Sequence, residues 1–239
     1  MKINEPNQIL QFSEMCRPKT LKDVVMDSGM KLELERQISG QKDLMNMVFH
    51  GRPGSGKSTT ARIIASQKRF KGKHKIINAS QSINKVSDFK IMQNFLDQGN
   101  ALSDILDDGS IAYRLIVLEE ADYLKPTVCA ALRFFLDANH ANARFIFTMN
   151  SLARMTPPLE SRLIILKFDP EPILWSGDTS VPNPVSVSYL ERIGKTLKKA
   201  GLVLAPGELE DLFEKNCPDL RKFETEVQWA ATPIVNSEA

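Results

Sequence analysis

The stretch Gly51-Arg-Pro-Gly-Ser-Gly-Lys-Ser58 decides the fold of this sequence. It matches the pattern G-x-x-x-x-G-K-[ST], in which glycines let successive backbone N–H groups turn towards phosphate oxygens. The apolar run Met45–Phe49 comes directly before it, and the helical pattern Ser58–Gln67 follows it. Such a loop requires this order of strand, glycine-rich turn and helix, so a chance Gly/Ser turn before a lysine is the weaker interpretation. We therefore predict a nucleotide-binding α/β protein.

The residues of this loop bind different parts of the nucleotide and its metal ion. The ammonium group of Lys57 reaches the β- and γ-phosphates, and the hydroxyl group of Ser58 ligates Mg²⁺. The helix N-terminus that follows adds partial positive charge. The predicted nucleotide-binding residues of the loop are Gly51, Arg52, Pro53, Gly54, Ser55, Gly56, Lys57, Ser58 and Thr59.

Short apolar runs and helical patterns alternate along the first 168 residues. Five runs predict buried strands: Met45–Phe49, Lys75–Asn78, Leu115–Leu118, Phe145–Met149 and Leu163–Phe168. Further helical patterns lie at Asp88–Leu102 and Thr127–Asn139. This alternation indicates a five-stranded, mostly parallel sheet with helices on both faces.

The composition changes after Phe168. Four prolines lie within residues 169–184, which makes this segment the predicted linker. Apolar residues at helical spacing follow in three short groups, which are Val187 to Leu197, Leu209 to Phe213 and Leu220 to Val227. We predict a core at residues 1–168, a linker at 169–184 and a three-helix lid at 185–239.

The composition is that of an ordinary globular protein, with 239 residues, 42% of them hydrophobic and 25% charged. The 31 basic and 29 acidic residues give a net charge of +2, so any nucleic-acid contact must come from a local patch. Cys16, Cys129 and Cys217 lie far apart and form no metal-binding or redox motif. No signal peptide or apolar run of membrane-spanning length is present, which predicts a soluble protein of a reducing cytosol without a membrane partner.

Carboxylates follow the third predicted strand, in the order Glu119-Glu120-Ala121-Asp122. In P-loop ATPases a carboxylate at this point holds Mg²⁺ through water, and an adjacent glutamate polarises the attacking water. We predict the first role for Glu119 and the second for Glu120. Glu119 stands where aspartate is usual, and its extra methylene shifts the carboxylate relative to the metal. The alternative interpretation is a solvated acidic turn.

In this combination the sequence resembles AAA+ ATPases, and among them the motor subunits of sliding-clamp loaders of the replication-factor-C and T-even-phage type. The resemblance covers about residues 12 to 232. The segment Arg17-Pro18 is similar to the family's Tyr-Arg-Pro, which packs by the adenine of ATP, although Cys16 replaces the tyrosine. The segment Asn78-Ala-Ser80 resembles the family's Asn-Ala-Ser-Asp, with Gln81 in place of the aspartate.

The resemblance implies three further catalytic residues. Asn150 would be sensor 1, and Arg221 of Asp219-Leu-Arg221 would be sensor 2; both would contact or orient the γ-phosphate region. Arg162 of Glu160-Ser161-Arg162 would be an arginine finger that enters the ATP site of a neighbouring subunit, although Leu163 replaces the family's cysteine. Without the resemblance, Asn150 is a turn residue, Arg162 a surface arginine and Arg221 a partner for a nearby carboxylate.

The resemblance also implies the cofactors, ATP and Mg²⁺, and the partners. These are the other clamp-loader subunits in a ring or spiral, a sliding clamp and primer–template DNA, with Lys85 and Lys90 as candidate DNA contacts. The segment 97–109 is a candidate clamp contact whose apolar residues also fit an ordinary core. Family members carry a helical collar domain after the lid. The sequence leaves open whether that collar was removed, lies on another chain or is replaced by a different assembly.

We therefore expect an ATP-hydrolysing clamp-loader motor in the cytoplasm, or in the host cytoplasm if a phage encodes the chain. Two alternatives remain at this point. One is another AAA+ ATPase of DNA replication, such as a helicase loader or an initiator. The other is a nucleotide-binding structural subunit that does not hydrolyse ATP.

Overall fold

A computed structural model of the protein describes residues 12, 14–98, 113–168, 184–217 and 219–233. The predicted linker at 169–184, apart from Pro184, lies outside the described residues. The same holds for residues 99–109 of the candidate clamp contact.

The chain divides into two compact units. The first unit consists of Met1–Ser28, Arg52–Gly56 and Asp169–Ala239. The second consists of Gly29–Gly51 and Lys57–Phe168. The first unit thus combines the segment of the predicted lid with an N-terminal segment and five residues of the glycine-rich loop. The division into core, linker and lid stays a prediction.

A parallel sheet of five strands forms the centre of the second unit. Its strands are β1 Met47–His50, β2 His74–Asn78, β3 Arg114–Glu119, β4 Ala143–Met149 and β5 Ile164–Lys167. Their spatial order is β2-β3-β4-β1-β5, and every pairing is parallel. The five predicted strands are confirmed, with bounds that shift by one or two residues at most of their ends. Because the strands are parallel, their carboxyl ends share one edge of the sheet, and the side chains that follow each strand meet there.

The central strands are mostly apolar because helices cover the sheet. All six residues of β3 are buried, and its four apolar residues, Leu115–Leu118, have no exposed surface. Phe145 and Phe147 of β4 are equally inaccessible and belong to the same core. A strand buried in this way appears in sequence as a continuous apolar run, which is why these two strands were predictable. β5, by contrast, is the outermost strand, and its Ile164 and Ile165 are 44% and 39% exposed.

In the part of the second unit that the structure describes, six α-helices surround or flank this sheet. They are α1 Ser28–Ser39, α2 Lys57–Ala65, α3 Ala79–Ser82, α4 Lys90–Asp97, α5 Pro126–Ala138 and α6 Pro157–Glu160. α2 and α5 begin one residue before their predicted starts. Pro126 is the first residue of α5, a position where proline is favoured because that N–H has no partner in the helix.

Three helices and a two-stranded sheet make up most of the described first unit. The helices are α7 Pro184–Lys199, α8 Glu208–Asn216 and α9 Leu220–Ala230. The short strands β6 Leu202–Val203 and β7 Thr232–Pro233 pair antiparallel. One aromatic residue from each helix packs in a common core, namely Tyr189, Phe213 and Phe223, with ring centroids 5.4 to 5.9 Å apart. The three helices predicted for residues 185–239 are confirmed, and their role as a lid stays a prediction.

In the part of the chain that the structure describes, no helix combines the length and the apolar character needed to cross a membrane.

Candidate functional site

The glycine-rich loop has the backbone that phosphate binding requires. Gly54 and Gly56 have φ angles of +77° and +91°, which glycine adopts at low cost because it lacks a Cβ atom. α2 begins at Lys57, so Ser58 and Thr59 lie in its first turn, where backbone N–H groups have no partner within the helix. Lys57 is 7% exposed, and its Nζ donates a hydrogen bond to the Gly51 carbonyl oxygen at 2.8 Å.

Within the first unit, the loop contacts the N-terminus of α9. A Cβ atom at Gly54 would lie 2.0 Å from Oδ1 of Asp219, so only glycine fits at this position. Asp219 also caps α9, because its Oδ1 accepts a hydrogen bond from the Lys222 backbone N–H at 3.0 Å. Arg221, the predicted sensor 2, is an exposed residue of the first turn of the same helix. The Asp219–Arg221 segment therefore lies beside the tip of the loop.

This contact predicts that Gly54→Ala disrupts the loop more than its φ angle alone explains. Gly72 is a matched control, because its φ angle is +74° and a Cβ atom there would meet nothing within 4 Å. We expect Gly72→Ala to lower the free energy of unfolding by about 1–2 kcal/mol through backbone strain. Gly54→Ala should lower it further and weaken ATP binding by about tenfold or more, measured by calorimetry.

The double variant Gly54→Ala/Asp219→Gly separates the two causes. It removes the carboxylate that the new methyl group would meet, and glycine costs a helix N-terminus only a few tenths of a kcal/mol relative to aspartate. Part of the lost ATP affinity should return. If the double variant binds ATP no better than Gly54→Ala, the contact with Asp219 is not the cause.

Arg17 and Pro18, the predicted adenine contacts, belong to the first unit. Arg17 is exposed and pairs with Glu14 at 2.7 Å. The preceding Cys16 is buried, and burial raises the pKa of its thiol to about 12. Its carbonyl oxygen accepts a hydrogen bond from Arg192 Nη1 at 2.7 Å, which ties this segment to α7.

Glu224, one helical turn after Arg221 on α9, is a partly buried carboxyl group. Burial raises its pKa to about 7, although a hydrogen bond from Tyr189 and the positive charge of Arg192 act in the opposite direction. The Tyr189 hydroxyl donates that bond at 3.1 Å. The first unit therefore contains a carboxyl group that changes its protonation near neutral pH.

Glu119, the predicted metal residue, is the last residue of β3 and is 7% exposed. Both of its oxygens are engaged by Arg62 of α2, with Nε to Oε1 at 2.8 Å and Nη2 to Oε2 at 2.7 Å. This hydrogen bonding raises the pKa of the Arg62 guanidinium. Arg62 was not among the predicted site residues. Arg62 lies four residues after Ser58, which puts both side chains on the same face of α2. This spacing was the only signal in the sequence for a role of Arg62 at the site.

The residues at this point fit a Mg²⁺ ion that is held mainly by phosphates and water. Ser58 offers a hydroxyl oxygen, and each Glu119 oxygen keeps a second lone pair for a metal-bound water. Among the described residues no group of three or more His, Cys, Asp or Glu side chains could hold a metal ion by itself. Mg²⁺ in nucleotide sites usually has few protein ligands, so this sparse donor set matches it.

Glu120, the predicted water-orienting residue, has a strained backbone. Its φ angle of +57° makes it the one non-glycine residue with positive φ in the described ranges. Such strain costs about 1–3 kcal/mol and is concentrated at functional sites. The Ser80 hydroxyl donates a hydrogen bond to Glu120 Oε2 at 2.7 Å, and the Glu120 N–H donates to Thr148 Oγ1 at 3.4 Å. Ser80, two residues after the end of β2, thus holds the exposed Glu120 side chain.

Asn150, the predicted sensor 1, follows β4 and is held by Asp122. Both Asp122 carboxylate oxygens lie 2.8 Å from the Asn150 backbone nitrogen, and Oδ1 also accepts from the Ser151 N–H at 2.9 Å. Asp122 lies two residues after Glu120, so this contact joins the acidic turn to the turn at Asn150. Asp122 was not among the predicted site residues, because a carboxylate that accepts hydrogen bonds from a distant backbone segment leaves no motif in the sequence.

We expect Asp122→Ala to lower both stability and ATP turnover. Loss of the charged acceptor for the N–H groups at Asn150 and Ser151 should lower the free energy of unfolding by about 1–3 kcal/mol. Asp88 is a matched control, because it accepts the N–H groups of Asn84 and Lys85 at 2.9 and 3.0 Å. Asp88→Ala should lose similar stability in chemical denaturation and keep its turnover number. Equal losses of turnover in both variants would contradict a role for Asp122 in placing Asn150.

Arg162, the predicted arginine finger, follows α6 and is held by α5. Its Nε and Nη2 donate to the two carboxylate oxygens of Asp137 at 2.7 and 2.9 Å, and its Nη1 donates to the Pro158 carbonyl oxygen at 2.7 Å. The guanidinium group lowers the pKa of the Asp137 carboxyl group. Arg162 is thus oriented by its own chain and remains partly exposed.

The two candidate DNA contacts, Lys85 and Lys90, are both exposed. They flank a short 3₁₀ helix, Val86–Phe89, which follows α3. The structure thus places them on one segment of the second unit, in the chain region that follows Asn78–Ser80.

Comparisons with known proteins agree with this geometry. Residues 47–169 match the model of a family described as the ATPase family associated with various cellular activities (AAA). The chain is 25% identical to the replication factor C small subunit of Thermofilum pendens over 222 residues, which covers 91% of this chain and 62% of that protein. It is 26% identical to replication factor C subunit 4 of Caenorhabditis elegans over 238 residues, which covers 98% of this chain and 66% of that protein.

A solved structure, the RuvB Holliday junction branch migration motor of Thermotoga maritima, matches with a TM-score of 0.59 at 19% sequence identity. The match covers 90% of this chain and 64% of that one, and at this identity it supports the fold alone. The chain therefore spans slightly less than two thirds of the length of these relatives. The predicted fold class and the stated family resemblance are confirmed.

Proposed function

Because this chain belongs to the ATPase family associated with various cellular activities, we propose that it binds Mg²⁺-ATP and hydrolyses it to ADP and phosphate. The observation that carries the proposal is the complete glycine-rich loop at the start of α2, tied to the acidic turn after β3 by the pair Arg62–Glu119. Loop and acidic turn both follow carboxyl ends of the parallel sheet, where α/β proteins bind ligands.

Each predicted site residue has a separate role towards the bound nucleotide. The N–H groups of the loop and Lys57 bind the phosphates, while Arg17 and Pro18 pack by the adenine. Bound Mg²⁺ supplies positive charge to the phosphate oxygens, with Ser58 and Glu119 as its protein partners.

Glu120 orients the attacking water and accepts its proton. Asn150 and Arg221 contact the γ-phosphate region of their own subunit, and Arg162 acts on the site of a neighbour.

Beyond ATP hydrolysis, we propose that the chain is a motor subunit of a sliding-clamp loader. The similarity to replication factor C subunits supports this assignment, at 25% and 26% identity over nearly the whole chain. The partners would be further loader subunits, a sliding clamp and primer–template DNA, with Lys85 and Lys90 as DNA contacts. The location would be the cytoplasm. ATP binding would favour the assembled spiral, and hydrolysis triggered by DNA would release that spiral.

The decisive experiment measures ATP turnover with and without primed DNA and a sliding clamp. A clamp-loader motor predicts that each of the two stimulates turnover and that both together stimulate it most. Another AAA+ machine, such as a helicase loader or an initiator, predicts turnover that is indifferent to the clamp. A nucleotide-binding structural subunit predicts ATP binding without turnover.

A further inference from the structure

Arg62 and Glu119 form a bidentate ion pair between α2 and the end of β3. The two parallel hydrogen bonds, at 2.8 and 2.7 Å, use both carboxylate oxygens. The two side chains differ in their surroundings, since that of Glu119 is 9% exposed and that of Arg62 is 51% exposed. A carboxylate with so little access to water requires a partner of opposite charge, and Arg62 is that partner here.

The pair also lies where a nucleotide-bound metal ion would be. Ser58, the hydroxyl ligand, is one helical turn before Arg62 on α2, and Glu119 is the carboxylate that faces this helix. The extra methylene of glutamate relative to aspartate lengthens the reach of this carboxylate. Glu119 and Arg62 can therefore meet in a fork-to-fork geometry, which fixes the carboxylate more firmly than a single hydrogen bond.

We propose that Arg62 is the counter-ion of Glu119 in the metal-free protein and competes with Mg²⁺ for that carboxylate. Two cations beside one carboxylate repel each other, and the repulsion is strong where water is scarce. Metal entry must therefore loosen or displace the guanidinium group, whose exposed half can swing into water. The Arg62–Glu119 pair thus raises the Mg²⁺ concentration that is needed for half-maximal nucleotide binding. This inference rests on the proposed function, since the metal arrives with ATP.

The first test measures binding of a fluorescent ATP analogue as a function of Mg²⁺ concentration. Arg62→Met removes the charge and keeps much of the side-chain length. We expect it to lower the half-maximal Mg²⁺ concentration by about 3- to 10-fold. Arg36→Met is the matched control, because it removes one exposed positive charge at the end of α1 and should leave the Mg²⁺ requirement unchanged. Arg62→Lys keeps the charge without the fork and should fall between Arg62→Met and the unchanged chain.

The second test omits the nucleotide. Free Mn²⁺, followed by electron paramagnetic resonance, should bind more tightly to Arg62→Met than to the unchanged chain and Arg36→Met, and Glu119→Gln should abolish the gain. Without metal, Arg62→Met should also unfold at a lower Tm, because Glu119 is left buried without its counter-ion. The double variant Arg62→Met/Glu119→Gln should regain part of that Tm.

The proposal is overturned if Arg62→Met leaves the Mg²⁺ and Mn²⁺ requirements unchanged or raises them, since a raised requirement would mean that Arg62 helps the metal to bind. Failure of the proposed function gives a different result. In that case the unchanged chain binds no ATP analogue at any Mg²⁺ concentration, and the Mn²⁺ titration alone still decides the role of Arg62.

Discussion

Glu120→Gln should bind ATP as tightly as the unchanged chain and turn it over about 10²- to 10⁴-fold more slowly. An amide oxygen can still accept the hydrogen bond from Ser80, which the Glu120 carboxylate accepts at 2.7 Å, so the local geometry should survive. The amide has almost no basicity, however, and cannot take a proton from the attacking water. This variant should therefore lose ATP turnover and keep its ATP affinity.

Two measurements check this expectation. Calorimetry gives the ATP affinity, and phosphate release in a single turnover gives the rate of the chemical step. Glu191→Gln on α7 is a control that neutralises an exposed carboxylate of the first unit. Normal turnover in Glu120→Gln would rule out Glu120 as the base, and loss of ATP binding would assign it a role in holding the nucleotide.

Arg162→Ala should lower turnover in an assembly by about 10³-fold or more, because an arginine supplied in trans stabilises the charge of the transition state. An isolated subunit should be unaffected. The pair with Asp137 already orients this guanidinium group, so little side-chain entropy remains to be lost when it meets a neighbour's phosphate.

A mixing experiment tests the trans role directly. Arg162→Ala keeps its own ATP site and lacks the finger, whereas Lys57→Ala keeps the finger and lacks the phosphate-binding lysine. An assembly of either variant alone should be inactive. The mixture should recover turnover at interfaces where an intact Lys57 of one subunit meets an intact Arg162 of its neighbour. If dilute, unassembled Arg162→Ala loses as much turnover as the assembly, Arg162 acts within its own chain.

The sheet could be predicted because burial leaves a simple trace in sequence. β3 and β4 lie between neighbours and beneath helices, so each appears as a run of apolar residues that locates the strand to within two residues. α1 was missed, because only Leu34 and Gln37 of its residues are buried and no continuous apolar stripe results.

The partners of the site residues could not be predicted, since they depend on how distant segments meet. Arg62 and Glu119 are separated by 57 positions in the chain, and Asp122 and Asn150 by 28. The sequence indicated the chemistry of Glu119, Glu120 and Asn150 one residue at a time. Apart from the position of Arg62 one helical turn after Ser58, it carried no sign that an arginine neutralises one carboxylate, or that a second carboxylate holds the backbone at Asn150.

The outermost position of β5 has a consequence for solubility. In the part of the chain that the structure describes, this strand has a neighbour on one side only, and two isoleucines on it are partly exposed. An open apolar strand of this kind can template aggregation between chains. β5 is only four residues long, however, and ends at the exposed Lys167, whose charge disfavours stacking of like chains. The short length and terminal lysine of β5 therefore disfavour pairing between chains along this edge.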